Sequence, residues 1–548
     1  MQWLRIALAL VVIGSVYFWR LDQPMLWGDE ADTGIFARNV LRCGVPAAYD
    51  SRNVSIYENG AQLSRNLLLS KKIPWVQYYV GAASLAIFGN TTAGLRALFA
   101  VIGLVSFFPI WAILKRKVAW PEVFAAIALL APQIVFFQRN ARYYSILIFL
   151  YSVLVWTVST EFKTGKTRGL IAASVFVFLF HTHPLAAACS GVSLLVYCGL
   201  FERKTLAVYA AATAVGFAAW LAWYLALGPA LGESETAISH IGADFSGWLQ
   251  SLGSGIAATI FDLDAVDCFP LLAWLGVMGL LLVRNRKSAA ALFKSPLPCL
   301  VLLNLAIQIV ATAAIFGTET GQHYALLRYE PHLLLFSLLT LFVMAGELFG
   351  CGVSAENPNA QALSPKIGCA LACGLVAALN VFTVSYWYDP YPREIPISWV
   401  PPVYSEVFSP PENVWDAIIA ELNKKSSDAG DRNTVLAAAP AWTDEALIFY
   451  LGDRFLVPPM FDPPSPACEE AIRQRLGEEA YRRLAAPATW GLDFLGLVDQ
   501  LPPGAAVAAT FPSHRQRPDD GTRPELTRHT FAQSQAVGEV KLFRLRQP

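Results

Sequence analysis

The sequence predicts an α-helical polytopic membrane protein that ends in a small α/β domain outside the membrane. Three observations carry this. The 548 residues are 55% hydrophobic and only 15% charged, with a mean hydropathy of +0.45, more apolar surface than a soluble protein of this length has use for. Apolar runs of about 20 residues recur along the first two thirds, the length a helix needs to cross a hydrocarbon core of roughly 30 Å. Basic clusters close alternate runs, as expected when positive loops stay on the cytoplasmic side.

The first run, Trp3 to Trp19 with Arg5 near its start, resembles a signal sequence without a small-residue cleavage site, and so reads as a retained signal anchor. It delivers Asp29 to the far side. Residues 21–94 form a long first external loop of mixed polarity, holding Arg38, Arg42, Arg52, Arg65, Lys71 and Lys72. Within it Pro74 to Phe88 is apolar but short, which suits a helix lying in the interface; a crossing there would break the alternation downstream.

Leu95 to Leu114 crosses inward and is closed by Lys115-Arg116-Lys117. Val123 to Phe137 exits at Gln138-Arg139-Asn140-Ala141-Arg142-Tyr143-Tyr144, and the next span returns to the charged loop Glu161 to Arg168. Leu170 to Phe180 exits at His181-Thr182-His183-Pro184, and Leu185 to Leu200 returns to Glu202-Arg203-Lys204. Leu206 to Leu227 exits to a loop with Glu233, Glu235, Asp244, Asp262, Asp264 and Asp267, which reads as a solvated face. Phe269 to Val283 returns to Arg284-Asn285-Arg286-Lys287. Leu297 to Phe316 exits to Thr318 through Pro331, Leu333 to Phe349 returns, and Ile367 to Tyr386 exits for the last time. About eleven spans result, with the basic loops on one side and the unusual polar residues on the other.

Past Asp389 the composition changes to Pro390, Pro392, Pro396, Pro401 and Pro402 and then to a polar region. Residues 1–390 are therefore expected to form the membrane domain and 391–548 the extracytoplasmic α/β domain. There, Thr434 to Ala439 reads as a strand, Asp444 to Leu451 as a helix and Glu539 to Leu545 as a final strand. Equal numbers of basic and acidic residues, 41 each, give no argument for a nucleic-acid partner. The nine Cys show neither a disulfide framework nor a CxxC or Cys/His zinc spacing. No phosphate-binding glycine loop or dinucleotide fingerprint is present, so no nucleotide cofactor is expected; a divalent metal is not indicated and its involvement stays open.

Four outward-facing polar sets stand out: Asp29/Glu30/Asp32, Arg139/Arg142/Tyr143/Tyr144, His181/His183 and Glu319/His323/Arg328/Tyr329. Ionisable groups at membrane depth are costly and usually functional. Carboxylates on one wall and guanidiniums on another suit transfer from a lipid phosphate: a carboxylate accepts the proton of an attacking hydroxyl, while arginines neutralise the departing phosphate bidentately. Each set has a plainer reading beside it. Asp29 and Glu30 are also first-turn acids favoured by a helix dipole. Arg139, Arg142 and Arg328 with Tyr329 are also the residues expected to anchor at an interface. The histidines are a metal half-site or, more simply, helix-end hydrogen-bonding groups before Pro184.

The order of these features resembles the GT-C class of polyprenyl-phosphate-sugar-dependent glycosyltransferases, in the branch of protein O-mannosyltransferases and the lipid A aminoarabinose transferase. The resemblance rests on Asp29-Glu30 in a long first external loop, Pro74 to Gly89 followed by Leu95-Arg96-Ala97, Arg139-Asn140-Ala141-Arg142-Tyr143-Tyr144-Ser145, and Arg328-Tyr329 before Pro331. It covers roughly residues 1–390. It implies an inverting single displacement on the extracytoplasmic face, with Asp29 as catalytic base and Glu30 as supporting acid. Arg142 and Arg328, with Arg139 in support, would contact the donor phosphate, and Tyr143, His181, His183, His323 and Tyr329 would line the substrate site. The partners it implies are a polyprenyl-phosphate-linked sugar, a lipid, glycan or protein acceptor, and the membrane itself; the location it implies is a bacterial plasma membrane. The rival reading is a secondary transporter or flippase. Such proteins tend to show internal repeats and interrupted midplane helices, and no corresponding halves are found here.

Overall fold

In a computed structural model the described residues are 2–23, 26, 28–56, 60–71, 73–160, 164–231, 271–284, 294–316, 331–348, 414–429, 436–439, 444–457, 464–484, 490–493, 506–512 and 539–544, with isolated positions at 249, 252–253, 256, 370, 374 and 407–408. The helices in chain order are α1 (Gln2–Phe18), α2 (Gly28–Cys43), α3 (Val76–Phe88), α4 (Thr92–Val105), α5 (Phe107–Leu114), α6 (Pro121–Leu129), α7 (Pro132–Arg139), α8 (Tyr144–Ser159), α9 (Gly165–Phe180), α10 (Pro184–Phe201), α11 (Arg203–Ala226), α12 (Leu271–Arg284), α13 (Pro296–Phe316) and α14 (Pro331–Leu348). Beyond them come α15 (Val414–Ala429), β1 (Leu436–Ala439), α16 (Asp444–Leu451), α17 (Pro466–Leu476), α18 (Glu478–Leu484), β2 (Trp490–Asp493), β3 (Ala506–Pro512) and β4 (Glu539–Arg544).

Among the described residues three stretches are helical, long and apolar enough to cross a membrane: Thr92–Leu114, Pro184–Phe201 and Arg203–Ala226. The apolar run read from Val123 to Phe137 is two helices rather than one. Pro132 has no N–H to continue α6, so the chain breaks at Leu130–Ala131 and restarts with Pro132 in the first turn of α7. The last expected span, Ile367 to Tyr386, lies outside the described residues apart from the isolated positions 370 and 374.

The chain divides into two compact units. The helical unit comprises Met1–Trp19, Ala100–Leu221 and Glu235–Ser405. Its core is aromatic and aliphatic, with Phe124 of α6 against Phe342 of α14 (ring centroids 5.0 Å) and Tyr151 of α8 edge-on to Phe336 of α14 (4.9 Å). Several polar groups inside it find partners: the Tyr17 hydroxyl donates to Leu129 O at 2.7 Å, Asn304 Nδ2 donates to Ser190 Oγ at 3.1 Å, and buried Glu122 pairs with Arg5. Small residues let helices approach closely, since a Cβ at Gly216 of α11 would lie 2.7 Å from the Phe176 backbone of α9.

The mixed unit comprises Arg20–Phe99, Ala222–Ser234 and Glu406–Pro548. Here α2 packs on α3 through Phe36 and Tyr78 (4.9 Å) and on α16, where a Cβ at Gly34 would meet the Phe449 ring at 2.5 Å. Thirteen residues make α3 a helix of about 20 Å, short of a hydrocarbon core. Four strands form one sheet in the order β1-β2-β4-β3, with β1 parallel to β2 and the other two pairings antiparallel. The strand, helix and final strand read from 434–439, 444–451 and 539–545 are β1, α16 and β4, each within two residues.

Candidate active site

In the mixed unit the three acids of 29–32 have three different fates. Asp29 and Glu30 occupy the first turn of α2, where exposed N–H groups and the helix dipole favour negative charge. Glu30 is fully buried and accepts from Arg96 twice, Nε to Oε1 at 2.9 Å and Nη2 to Oε2 at 2.5 Å, while Arg96 Nη1 reaches Leu21 O at 3.2 Å. Asp32 is buried and accepts from Ser55 Oγ at 3.1 Å. Asp29 is the partly exposed member, its backbone carbonyl accepting from Thr33 Oγ1 at 3.1 Å. Further along α2, Arg38 donates to Phe449 O (3.0 Å) and Ile448 O (3.1 Å), capping α16 with a cation as helix C-termini prefer. The Tyr450 hydroxyl accepts from Leu26 N–H at 2.9 Å and lies 2.7 Å from Thr92 Oγ1; burial pushes its pKa up to about 12, so it stays a neutral phenol.

In the helical unit the expected guanidiniums differ from each other. Arg139 is buried and Nη1 donates to Val16 O (2.6 Å) and Tyr17 O (3.0 Å), closing the C-terminal carbonyls of α1. Arg142 lies just before α8, its guanidinium 5.6 Å from the Tyr143 ring centre. Tyr143 in turn packs on His183, ring centroids 5.0 Å apart. Because Tyr143 precedes α8 and His183 precedes α10, this contact gathers two helix N-termini beside one guanidinium, a setting that favours an anion. His183 caps α10, its Nδ1 accepting from Ala186 N–H at 3.1 Å, and burial lowers its pKa to about 4, so the ring is neutral at pH 7. His181 is half-buried at the end of α9 and burial lowers its pKa as well. His323, Arg328 and Tyr329 lie outside the described residues. Among the described residues no group of three or more His, Cys, Asp or Glu is placed to hold a metal ion.

Two ionisable residues near these positions were given no role from sequence. Arg96 is a lone cation at the head of the apolar run Leu95 to Leu114, and a charge there demands a partner, a signal that Glu30 answers. His332, in the first turn of α14, is buried against the Tyr151 ring at 4.7 Å; a histidine following Pro331 offered nothing to single it out.

No family model matches this chain, and no curated protein matches its sequence. Among solved structures the chain is similar to ArnT from Cupriavidus metallidurans bound to undecaprenyl phosphate, with a TM-score of 0.54 and 16% identity over 99% of this chain and 98% of that one. The oligosaccharyltransferase of Archaeoglobus fulgidus in its apo form gives a TM-score of 0.43 at 11% identity over 91% of this chain and 70% of that one, too low a score to argue from. The chain therefore has the fold of ArnT along nearly the whole length of both, and the resemblance to the GT-C class read from its sequence is met at the level of fold.

Proposed function

We propose that this protein is an integral membrane glycosyltransferase that moves a sugar from a polyprenyl-phosphate donor to an acceptor hydroxyl on the extracytoplasmic face, with inversion at the anomeric carbon. The observation that carries the reading is the division of labour among the acids of α2. Glu30 and Asp32 are buried and engaged, and Asp29 is the member of the three that solvent reaches, on a helix held in place by the other two. A base must be reachable by its substrate and fixed in position, and Asp29 meets both demands. It takes the proton of the acceptor hydroxyl as that oxygen attacks the anomeric carbon, and the lipid phosphate departs with the bonding pair.

Arg142, at the two gathered helix N-termini, is assigned to the donor phosphate, with Tyr143 and His183 shaping its surroundings and Arg328 as a second cation. Neutral His183 can donate a hydrogen bond from Nε2 to a phosphate oxygen while Nδ1 keeps the α10 cap. The bound lipid of the ArnT structure, undecaprenyl phosphate, supports a donor of this chemical class. The run of about eleven spans and an extracytoplasmic domain from residue 391 belong to the same reading.

The test uses purified full-length protein with radiolabelled polyprenyl-phosphate sugars and membrane extract as acceptor. Release of sugar from the lipid by wild type and not by Asp29→Asn is the expected result. No release from any lipid donor, with an intact lipid or solute crossing the bilayer of proteoliposomes instead, would replace the transferase with a transporter.

A further inference from the structure

The mixed unit also holds a polar cleft of about 350 Å3 that the reading above leaves unused. Its walls are the C-terminal end of α2 at Arg42, the turn Tyr49 to Arg52, and the turn after α16 around Asp453. These walls are built in advance. Asp50 is buried and its Oδ1 accepts from the backbone N–H groups of Arg52 (2.8 Å) and Asn53 (2.6 Å), which bends the chain back on itself. That bend places Ser51 at φ +76°, a left-handed conformation in which a serine is held rather than relaxed. The Tyr49 hydroxyl donates to Ser51 O at 2.7 Å, fixing its ring at the cleft wall.

The opposite wall is pinned from beneath by the Asn53 amide. Nδ2 donates to Gly452 O (3.1 Å) and Phe455 O (3.2 Å), and Oδ1 accepts from Val457 N–H (2.8 Å). Across the cleft Arg42 Nη1 donates to Asp50 O at 2.6 Å and Arg52 Nη1 donates to Asp453 O at 2.7 Å, so each guanidinium is oriented by one backbone bond and keeps further N–H groups. The Asp453 side chain is 70% exposed and only loosely paired with Arg42, at 3.4 Å.

The charge balance selects the ligand. Two guanidiniums face two carboxylates, so the lining carries no net charge, and an exposed carboxylate at the rim works against an anion. Guanidinium donors oriented by backbone bonds, with a carboxylate acceptor at the rim and an aromatic ring beside them, suit vicinal hydroxyls and the C–H face of a pyranose. The volume, at the low end for small-molecule sites, suits a short saccharide rather than a lipid. We propose that this cleft binds an uncharged glycan and holds the carbohydrate of the acceptor; the acceptor role, though not the binding, rests on the transferase reading above.

The test is saturation-transfer difference NMR on detergent-solubilised full-length protein with four soluble trisaccharides, built of glucose, mannose, galactose or N-acetylglucosamine. At least one is expected to receive saturation. Tyr49→Ala and Asp453→Ala are each expected to weaken it about tenfold, the equivalent of one hydrogen bond to a charged group or one ring contact. Asp453 is exposed, so its variant keeps the wild-type melting temperature. Absence of transfer to all four, equal signals in both variants, or displacement by inorganic phosphate would each overturn the proposal. Trisaccharide binding without sugar release from any lipid donor would uphold the cleft and remove the transferase reading. Sugar release without trisaccharide binding would do the reverse.

Discussion

Arg96 and Glu30 meet as a buried fork, their side chains 2% and 1% exposed and their two hydrogen bonds 2.9 and 2.5 Å long. Such a pair adds little net stability over an apolar pair, but removing one partner strands the other charge without solvent. Glu30→Ala and Arg96→Ala should each cost about 3–5 kcal/mol. The double variant should cost well under the sum, because it strands no charge. Thermal unfolding in detergent checks this, and additive losses would mean that the two residues act independently.

Asp29→Asn keeps the shape and the position in α2 and removes the base. Turnover should fall by about 10²–10⁴-fold, the range of a general base, with donor binding and melting temperature unchanged. Wild-type turnover in this variant would take the base role away from Asp29.

The two arginines should separate. Arg139→Gln removes the donor to Val16 O and Tyr17 O and should lower stability by about 1–3 kcal/mol, leaving buried carbonyls without that partner. Arg142→Ala should instead raise the KM for the lipid-linked donor with a small change in melting temperature. A stability loss at Arg142 with unchanged kinetics would return it to a structural role.

His183 gives stability a pH dependence of definite sign. Its folded pKa, about 4, lies below the ordinary 6.5, because burial disfavours the imidazolium. Between those values the unfolded chain binds the proton and the folded chain does not. Its contribution is therefore complete above pH 6.5 and is lost as pH falls from 6.5 towards 4. His183→Asn retains a capping side chain and should flatten the dependence of melting temperature on pH over that window.

Gly34 is required by close approach rather than by backbone angle, since a Cβ there would lie 2.5 Å from the Phe449 ring. Gly34→Ala should destabilise by about 1–3 kcal/mol through overpacking, and adding Phe449→Leu should restore part of the loss. Failure of that rescue would place the strain elsewhere.

Much of this was legible before any coordinates. Apolar run length locates helices such as α10 and α11 within a few residues. The helix start near Asp29 is legible too, from first-turn acids ahead of apolar residues at helical spacing. The sequence could not show that Glu30 and Asp32 would turn inward, since helical spacing around Gly28–Cys43 leaves the buried face open until α3 and α16 are placed against it. Nor did hydropathy detect the break before Pro132, because the run is equally apolar on both sides of it. The cleft was invisible for a simpler reason: its walls come from two stretches some 400 positions apart.

That separation governs how the protein is made. The carbonyls that Arg38 holds belong to residues 410 and 411 positions downstream. At about 5–20 residues per second, the ribosome needs roughly 20–80 seconds after α2 emerges before α16 exists. Throughout that interval the face of α2 carrying Gly34 and Arg38 waits without α16, so the mixed unit is completed only late in synthesis. A chain truncated before residue 444 would leave that face without the Phe449 ring and the two carbonyls that Arg38 holds.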